Sequence, residues 1–311
     1  MDLSYIRKPI AKSIIKDELS SDLFVRHSNK GSNEIYIVNQ HNAPNVVQEI
    51  GRLREVTFAT AGGGTGMPVD LDEFDTSELC YEQLILFNPE DEEIVGGYRF
   101  IECSKVIHTN PIQLSTAHYF NFTEKFVTQF LPHTIELGRS WIQPLYQPSV
   151  NARKGIFTLD NLWDGLGAIA VDNPQIKHFF GKVTMYTNYN AEARDAVLYL
   201  MNHFFEDKEE LVKPKHPLPE LSDIDDFKAE IEDLDFKEAM KVLQRYTKDR
   251  GENIPPLINN YMQLSPSMKA FGTAANPDFG DVEETGILVT IDDIYDSKKE
   301  RHISSYVSSR G

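Results

Sequence analysis

TIELGRSWI, residues Thr134 to Ile142, is the stretch on which the reading of this chain turns. Alternation along a strand places Ile135, Leu137 and Arg139 on one side and Glu136, Gly138 and Ser140 on the other. The segment is apolar enough for a core, yet it holds a carboxylate, a guanidinium and a glycine. A charge on a central strand is costly unless it is paired or used. A glycine inside a strand marks a bulge or the close approach of another backbone. Glu136 and Arg139 are therefore the first candidates for chemistry. The structural alternative is an ion pair between neighbouring strands.

Upstream of this strand, Thr116 to Phe130 is rich in aromatics and reads as a partly helical connection. Before it, Cys80 to Phe87 and Ile94 to Ile101 form a hairpin about a turn at Asn88–Asp91, with Arg99 set inside the second strand. Met67 to Thr76 crowds Asp70, Asp72, Glu73 and Asp75 together. The spacing lacks the central glycine and terminal glutamate of a calcium loop, so no metal is called for. Gly62 to Gly66, GGGTG, lacks the Lys-Ser/Thr of a phosphate-binding loop and reads as a mobile loop. A helix capped near Asn42, with Pro44 in its first turn, carries Arg54 and Phe58 one turn apart. Ser32 to Asn39 is a strand.

Downstream, Thr158 to Asn173 is a helix whose GLGA does not open a helix after a strand, so no dinucleotide site is read from it. His178 to Thr187 is a strand, and Asn190 to Phe205 a helix capped by Asn190. Lys213 to Asp226 reads as a surface excursion, Phe227 to Arg250 as charged helices, and Ala270 to Asp293 as two strands. The tail after Ser297 is polar and frayed.

The net charge of −17 over 311 residues argues against nucleic acid as a partner. Between Glu206 and Glu238 thirteen acids face five bases, a local net of −8. Met1 to Lys16 is the reverse, with Arg7, Lys8, Lys12 and Lys16 against Asp2. Its isoleucines recur as on an amphipathic helix. That helix either lies on an anionic membrane or acidic partner, or docks on the domain. No apolar run approaches the roughly 18 residues of a membrane span. The N-terminus has no secretory pattern. The two cysteines, Cys80 and Cys103, read as buried thiols in a reducing cytoplasm.

The order of elements resembles the acetyltransferase-like GNAT fold. Arg54 and Phe58, then DLDEFD, then Arg99 in GGYRF, then ELGRSW occur as in acyl-homoserine lactone synthases. The longer set ELGRSWIQPLYQ, LWDGLGAI, FFGKVTM and FGTAANPDFGDVEETGILV resembles more closely the hemolysin-like N-acyltransferases that make lyso-ornithine and lyso-glycine lipids. The likeness spans roughly Glu34 to Asp293.

That resemblance implies an α/β (α+β) fold with a central mixed twisted sheet flanked by helices. It sets a GNAT-like domain at 31–295 with a helical acidic insertion at 206–250, an amphipathic segment at 1–30 and a polar tail at 296–311. It implies transfer of a long-chain fatty acyl group, 3-hydroxylated or not, from acyl carrier protein to the α-amine of glycine or ornithine. The product is a lyso-aminolipid for a separate O-acyltransferase. No cofactor is implied beyond the donor thioester, on acyl carrier protein or coenzyme A. The usual coenzyme A loop has no match, which favours the carrier protein. The basic first helix with Arg153 and Lys154 is the candidate docking face, and a peripheral contact with the inner face of the cytoplasmic membrane is the matching location for an otherwise cytoplasmic protein. Two alternatives stay open: an acyl-homoserine lactone-type signal synthase, and a non-catalytic carrier- or membrane-binding module.

Matching positions make Glu136 and Arg139 the catalytic candidates. Arg54, Phe58, Asp72, Asp75, Arg99, Ser140 and Trp141 are the substrate-binding ones. Glu136 would take the amine proton if partial burial raised its pKa. Arg139, always protonated, would orient carboxylates. Backbone N–H groups near Ser140–Ile142 would face the oxyanion. Asp72 and Asp75 either hold the substrate ammonium or pair with Arg54 and Arg99. Tyr186 or Tyr189 either protonates the leaving thiolate or serves as core. Cys80 has no histidine partner and is a poor nucleophile. The carboxylates already have arginines to match them, which favours glycine.

Overall fold

The computed structural model describes residues 3–308, so the outermost residues of the expected N-terminal segment and polar tail lie outside it. The chain begins with helix α1 (Lys12–Glu18), strands β1 (Phe24–His27) and β2 (Glu34–Val38), and helices α2 (Pro44–Ala61) and α3 (Glu73–Thr76). Strands β3 (Glu82–Asn88), β4 (Glu93–Glu102), β5 (Phe120–Phe122) and β6 (Thr134–Ile142) follow. Next come helices α4 (Ala152–Gly155) and α5 (Thr158–Asp172), β7 (His178–Met185), α6 (Ala191–Phe205) and β8 (Val212–Pro214). Helices α7 (Asp225–Ile231), α8 (Phe236–Asp249) and α9 (Pro256–Met262), strands β9 (Lys269–Asn276) and β10 (Val282–Thr290), and α10 (Asp296–His302) complete it.

Contacts divide the chain into two compact units rather than one domain with appendages. The first takes residues up to 105, 135–177 and from 296 on; the second takes 106–134 and 178–295. The expected boundary near 30 marks no unit, while the one at 295 falls where the second unit ends and the chain returns to the first, because stretches far apart in sequence close on each other.

In the first unit β1, β2, β3, β4 and β6 pair in that order, every neighbour antiparallel. The interiors of β3 and β4 are buried throughout, which is why LILF and IVGGYRFI read as continuous apolar runs. Helix α5 packs across β1, β3 and β4. The glycines of its GLGA serve packing. At Gly167 a Cβ would lie 2.0 Å from the carbonyl oxygen of His302. This contact seats α10, which the sequence reading left as a frayed tail. His302 bonds Asp164 at 2.7 Å from the same helix, so LWDGLG supplies both the partner, Asp164, and the clearance, Gly167. Gly167→Ala should force α10 off α5 and lower stability by about 1–3 kcal/mol, as overpacking does. A melting temperature equal to the wild type's would show that α10 contributes nothing there.

The first helix is short and docked. Ile15 is buried, Lys12 pairs with Glu93, Lys16 pairs with Glu92, and Glu18 accepts N–H bonds from Asn45 and Val46. Glu18 thus supplies the cap of α2 that the sequence reading gave to Asn42. Of the two readings of the first helix, the structure shows the docked one: the helix starts only after Pro9, and the acidic β3–β4 turn takes its lysines. The GGGTG loop is likewise tied down. Buried Glu55 accepts the N–H groups of Thr65 and Gly66, the Thr65 hydroxyl and the Tyr5 hydroxyl.

In the second unit β7, β10 and β9 pair antiparallel, and β5 pairs with β8. The stretch read as a surface excursion is exposed over most of its length but is pinned to the unit: Ile224 is buried, and Asp195 accepts the N–H groups of Leu221 and Ser222 at 2.7 Å each. Helix α8 turns Ala239, Met240 and Leu243 inward and its charges outward, which reconciles an acidic composition with a packed helix. Phe120, Phe126, Phe179 and Phe180 are buried. Phe126 meets Phe180 at 5.1 Å and Phe271 at 6.1 Å, ring centre to ring centre, so these side chains form core.

Candidate active site

The ladder between β4 and β6 pairs Arg99 with Gly138 and Gly97 with Trp141. Tyr98 alone therefore faces two residues, Arg139 and Ser140. This is a β-bulge, and Arg139 takes a left-handed φ of 46° there. A side chain held in that region costs roughly 1–3 kcal/mol and persists only where its surroundings fix it. The bulge corrects the simple alternation. Glu136, Gly138 and Trp141 share the face of Arg99, and Arg139 joins the same cluster. Glycine signalled the bulge, but the strained residue is its neighbour.

Arg139 Nε donates to Asp70 Oδ2 at 2.9 Å. Arg54, one turn before Phe58 on α2, donates to Asp70 at 2.9 Å and to Asp75 at 3.0 and 3.1 Å. Arg99 on β4 donates to Asp72 at 2.6 Å and Asp75 at 2.9 Å. Gln83 on β3 adds a bond to Asp75 at 2.9 Å. Three arginines and three aspartates thus balance in charge. DLDEFD delivers them by local means. Asp72 caps α3, accepting from Phe74 N–H, while Asp75 accepts the Asp72 N–H in return. Glu73, on the opposite side of that turn, is exposed.

The network is graded in burial. Arg54, Asp70, Asp75 and Arg99 are closed to solvent, while the side chain of Asp72 is 33% exposed and that of Arg139 14%. Their charged groups approach within 3.7 Å. Burial works to raise the pKa of Asp75, but the guanidiniums of Arg54 and Arg99 outweigh it and hold the carboxyl well below the usual range. Burial likewise opposes ionisation of Asp70, and Arg139 with Arg54 prevails. Both folded-state pKa values lie below the ordinary value near 3.8. Their contribution to stability is therefore complete above about pH 5 and is lost as pH falls below about 4 toward the folded values. Urea midpoints should stay level from neutral pH to about 5 and then drop, and the drop should shrink in Asp75→Asn. A flat profile down to pH 3 would contradict the network's role.

Glu136 is wholly buried, not partly, and its carboxylate accepts the hydroxyl of Tyr81, itself buried. Arg99 lies over the Tyr81 ring at 5.2 Å, so Tyr81 joins Glu136 to the arginine–aspartate network. Cys103 is buried close by, and burial followed by the Glu136 charge pushes its thiol well above the ordinary value. Cys80 is half-buried and raised by burial, so it too stays a thiol.

The structure thus gathers Arg54, Asp72, Asp75, Arg99 and Arg139 into one cluster and links Glu136 to it. The choice left open for Asp72 and Asp75 resolves at Asp75, which pairs with Arg54 and Arg99 and has no exposure. Phe58 and Trp141 are buried. The Trp141 indole nitrogen stands 3.4 Å from where a Cβ on Gly97 would be, which marks Trp141 as packing rather than a contact surface. Ser140 is half-buried at the bulge. In the second unit Tyr189 donates to the Asn253 carbonyl at 3.0 Å, and Tyr186 is pushed up to about 12 by burial and then by Glu284. Sequence reading missed Asp70, Tyr81 and Gln83 as members. Asp70 was within reach, since three arginines in apolar frames demand three carboxylates. Tyr81 was not, because its partner is 55 positions away.

Residues 53–153 match the acetyltransferase (GNAT) domain family, a range that holds every member of this cluster. A glycine N(alpha)-acyltransferase of Phocaeicola vulgatus is 50% identical over 306 residues, 96% of this chain and 92% of that one. Its counterpart of Bacteroides thetaiotaomicron is 50% identical over 307 residues, 98% of this chain and 91% of that one. Among solved structures, a coenzyme A-dependent acyl-homoserine lactone synthase covers 53% of this chain and 72% of its own at 14% identity and a TM-score of 0.30, too slight a likeness to weigh. With half its residues shared across nearly the whole length of both relatives, the chain belongs to their family and is an acyltransferase of the GNAT class.

Proposed function

We propose that this enzyme moves a fatty acyl group from an acyl carrier protein thioester to the α-amine of glycine, giving an N-acylglycine lyso-lipid. The observation that carries this reading is the graded network. Its inner charges are spent on one another, and its outer edge presents Arg139 and Asp72. A guanidinium beside a carboxylate suits the carboxylate and ammonium of an amino-acid zwitterion. Asp70 and Asp75 are buried and spent on arginines, which leaves Asp72 as the single partly exposed aspartate of the cluster, one carboxylate for one ammonium rather than the two of ornithine. The names of both relatives point to glycine as well. The missing coenzyme A loop supports a carrier-protein donor.

In this reading the glycine nitrogen attacks the thioester carbonyl, a C–N bond forms, and the C–S bond breaks. The amine proton passes to Glu136, and the sulfur leaves as a thiolate that is protonated to the free thiol. Glu136 is closed in the free enzyme, so its contact with the amine forms only in the substrate complex, where catalytic hydrogen bonds commonly tighten. The backbone released from the ladder at Arg139–Ser140 supplies an N–H to the oxyanion. The product keeps its carboxylate and, if 3-hydroxylated, a hydroxyl open to a separate O-acyltransferase.

The test is lipid mass spectrometry of a bacterial host expressing the chain, fed isotopically labelled glycine or labelled ornithine, beside an Arg139→Ala control. A labelled N-acylglycine only with intact protein supports the reading. Label from ornithine would replace the amine, and an N-acyl lactone would replace the reaction.

A further inference from the structure

We propose that the loop from Leu145 to Phe157 seats this protein on an anionic lipid surface. Four large apolar side chains stand out of these thirteen residues: Leu145 at 58% exposure, Val150 at 61%, Ile156 at 65% and Phe157 at 38%. Among the described residues, the other exposed large apolar side chains are scattered along the sequence, which is ordinary for a protein surface. A dense set within one short loop is not ordinary.

The loop is a folded platform rather than a loose strand. The N–H of Asn151 bonds the Gln147 carbonyl at 2.9 Å, and that of Gly155 bonds Asn151 at 2.8 Å. A Cβ on Gly155 would stand 2.4 Å from the Pro148 nitrogen, so the two arms of the loop touch there. The Thr158 hydroxyl bonds the carbonyls of Gly155 and Tyr146 at its base.

Its charge is the opposite of the chain's. Residues 145–157 contain Arg153 and Lys154 and no acid, within a protein of net charge −17. Lys30 lies over the Phe157 ring at 4.7 Å. Leu145 and Val150 line a groove of about 250 Å³ together with Lys12, Lys154, Asp91 and Glu93. Those two lysines pair with Glu93 and Asp91, partly exposed pairs of the kind that exchange readily for another anion. Arg153 and Lys30 add further positive charge on this side, against Glu90, Asp91 and Glu93, whose charges act on Tyr146 at the base of the loop.

Apolar tips beside exposed cations match a bilayer interface: the tips enter the acyl boundary and the cations meet lipid phosphates. A protein partner ordinarily covers about 800 Å² of each side, far more than four tips on one loop offer. Of the first helix, which the sequence offered for this contact, Lys12 lines the groove while Lys16 is paired with Glu92. No helix among the described residues is long and apolar enough to cross a membrane, so the contact is peripheral. It is independent of which amine the enzyme acylates.

Vesicle sedimentation of the full chain, without substrates, tests this. The protein should pellet with phosphatidylglycerol–phosphatidylcholine vesicles and at least tenfold less with phosphatidylcholine alone. Leu145→Ser, Val150→Ser and Ile156→Ser combined should weaken binding at least tenfold with an unchanged melting temperature, since all three are exposed. Arg153→Glu should remove most of the dependence on phosphatidylglycerol. No pelleting, or pelleting equal in the triple variant, overturns the proposal. So does a triple variant that binds vesicles normally but loses turnover with an acyl carrier protein thioester, which would make the loop a protein-docking face.

Discussion

Glu136→Gln is expected to lower kcat by roughly 10²- to 10⁴-fold, the range over which a positioned base contributes. The side chain keeps its length, and the Tyr81 hydroxyl still finds an oxygen to donate to, so the fold should hold. What is lost is the capacity to take the amine proton. The KM for glycine should change little, because Arg139 and Asp72 are untouched. The measurement is product formation under saturating donor and glycine, with thermal melting as the control for folding. Activity within a few-fold of wild type at an unchanged melting temperature would remove Glu136 from the chemistry and leave it as a buried acceptor for Tyr81.

Asp75→Ala should unfold or nearly unfold the protein, at a cost of about 3–5 kcal/mol for breaking a buried ion pair. The reason is that this carboxylate answers several donors at once. Arg54, Arg99, Gln83 and the Asp72 N–H all bond to it, and it has no exposure. Removing it leaves two buried guanidiniums short of a partner. Against a whole-domain stability of about 5–15 kcal/mol that loss is severe. Asp72→Ala, one residue outward and partly exposed, should cost markedly less stability while raising the KM for glycine. Urea unfolding of the two variants side by side measures the difference. Equal midpoints would mean that the burial gradient, on which the substrate reading rests, has no energetic counterpart.

The same two residues show how far a sequence reaches. DLDEFD and the lone arginines announced charges that a core must neutralise, and nothing in the local pattern said which aspartate was spent and which was offered. That division depends on depth. Asp75 lies on the inner side of a four-residue helix and Asp72 at its cap, so one turn separates full burial from partial exposure. Glu136 shows the converse. Its importance was legible as a carboxylate in an apolar strand, and its hydrogen-bond partner was not, since Tyr81 meets it only after the sheet has formed.

Sequence by itself determined the strand and helix types, the hairpin, the α/β acyltransferase class and most of the residues in the cluster. The elements rest on short-range periodicity, the charged candidates on residue chemistry that a core cannot leave unpaired, and the acyltransferase class on the resemblance of motifs such as ELGRSW and LWDGLGAI to a known family. Tertiary structure alone decided that Arg139 sits at a bulge and turns into the cluster, that α10 locks onto Gly167, that the acidic stretch is packed rather than loose, and that the chain forms two units. Each of these is fixed by contacts between residues distant in sequence, or by one extra residue in a ladder, and neither leaves a periodic trace.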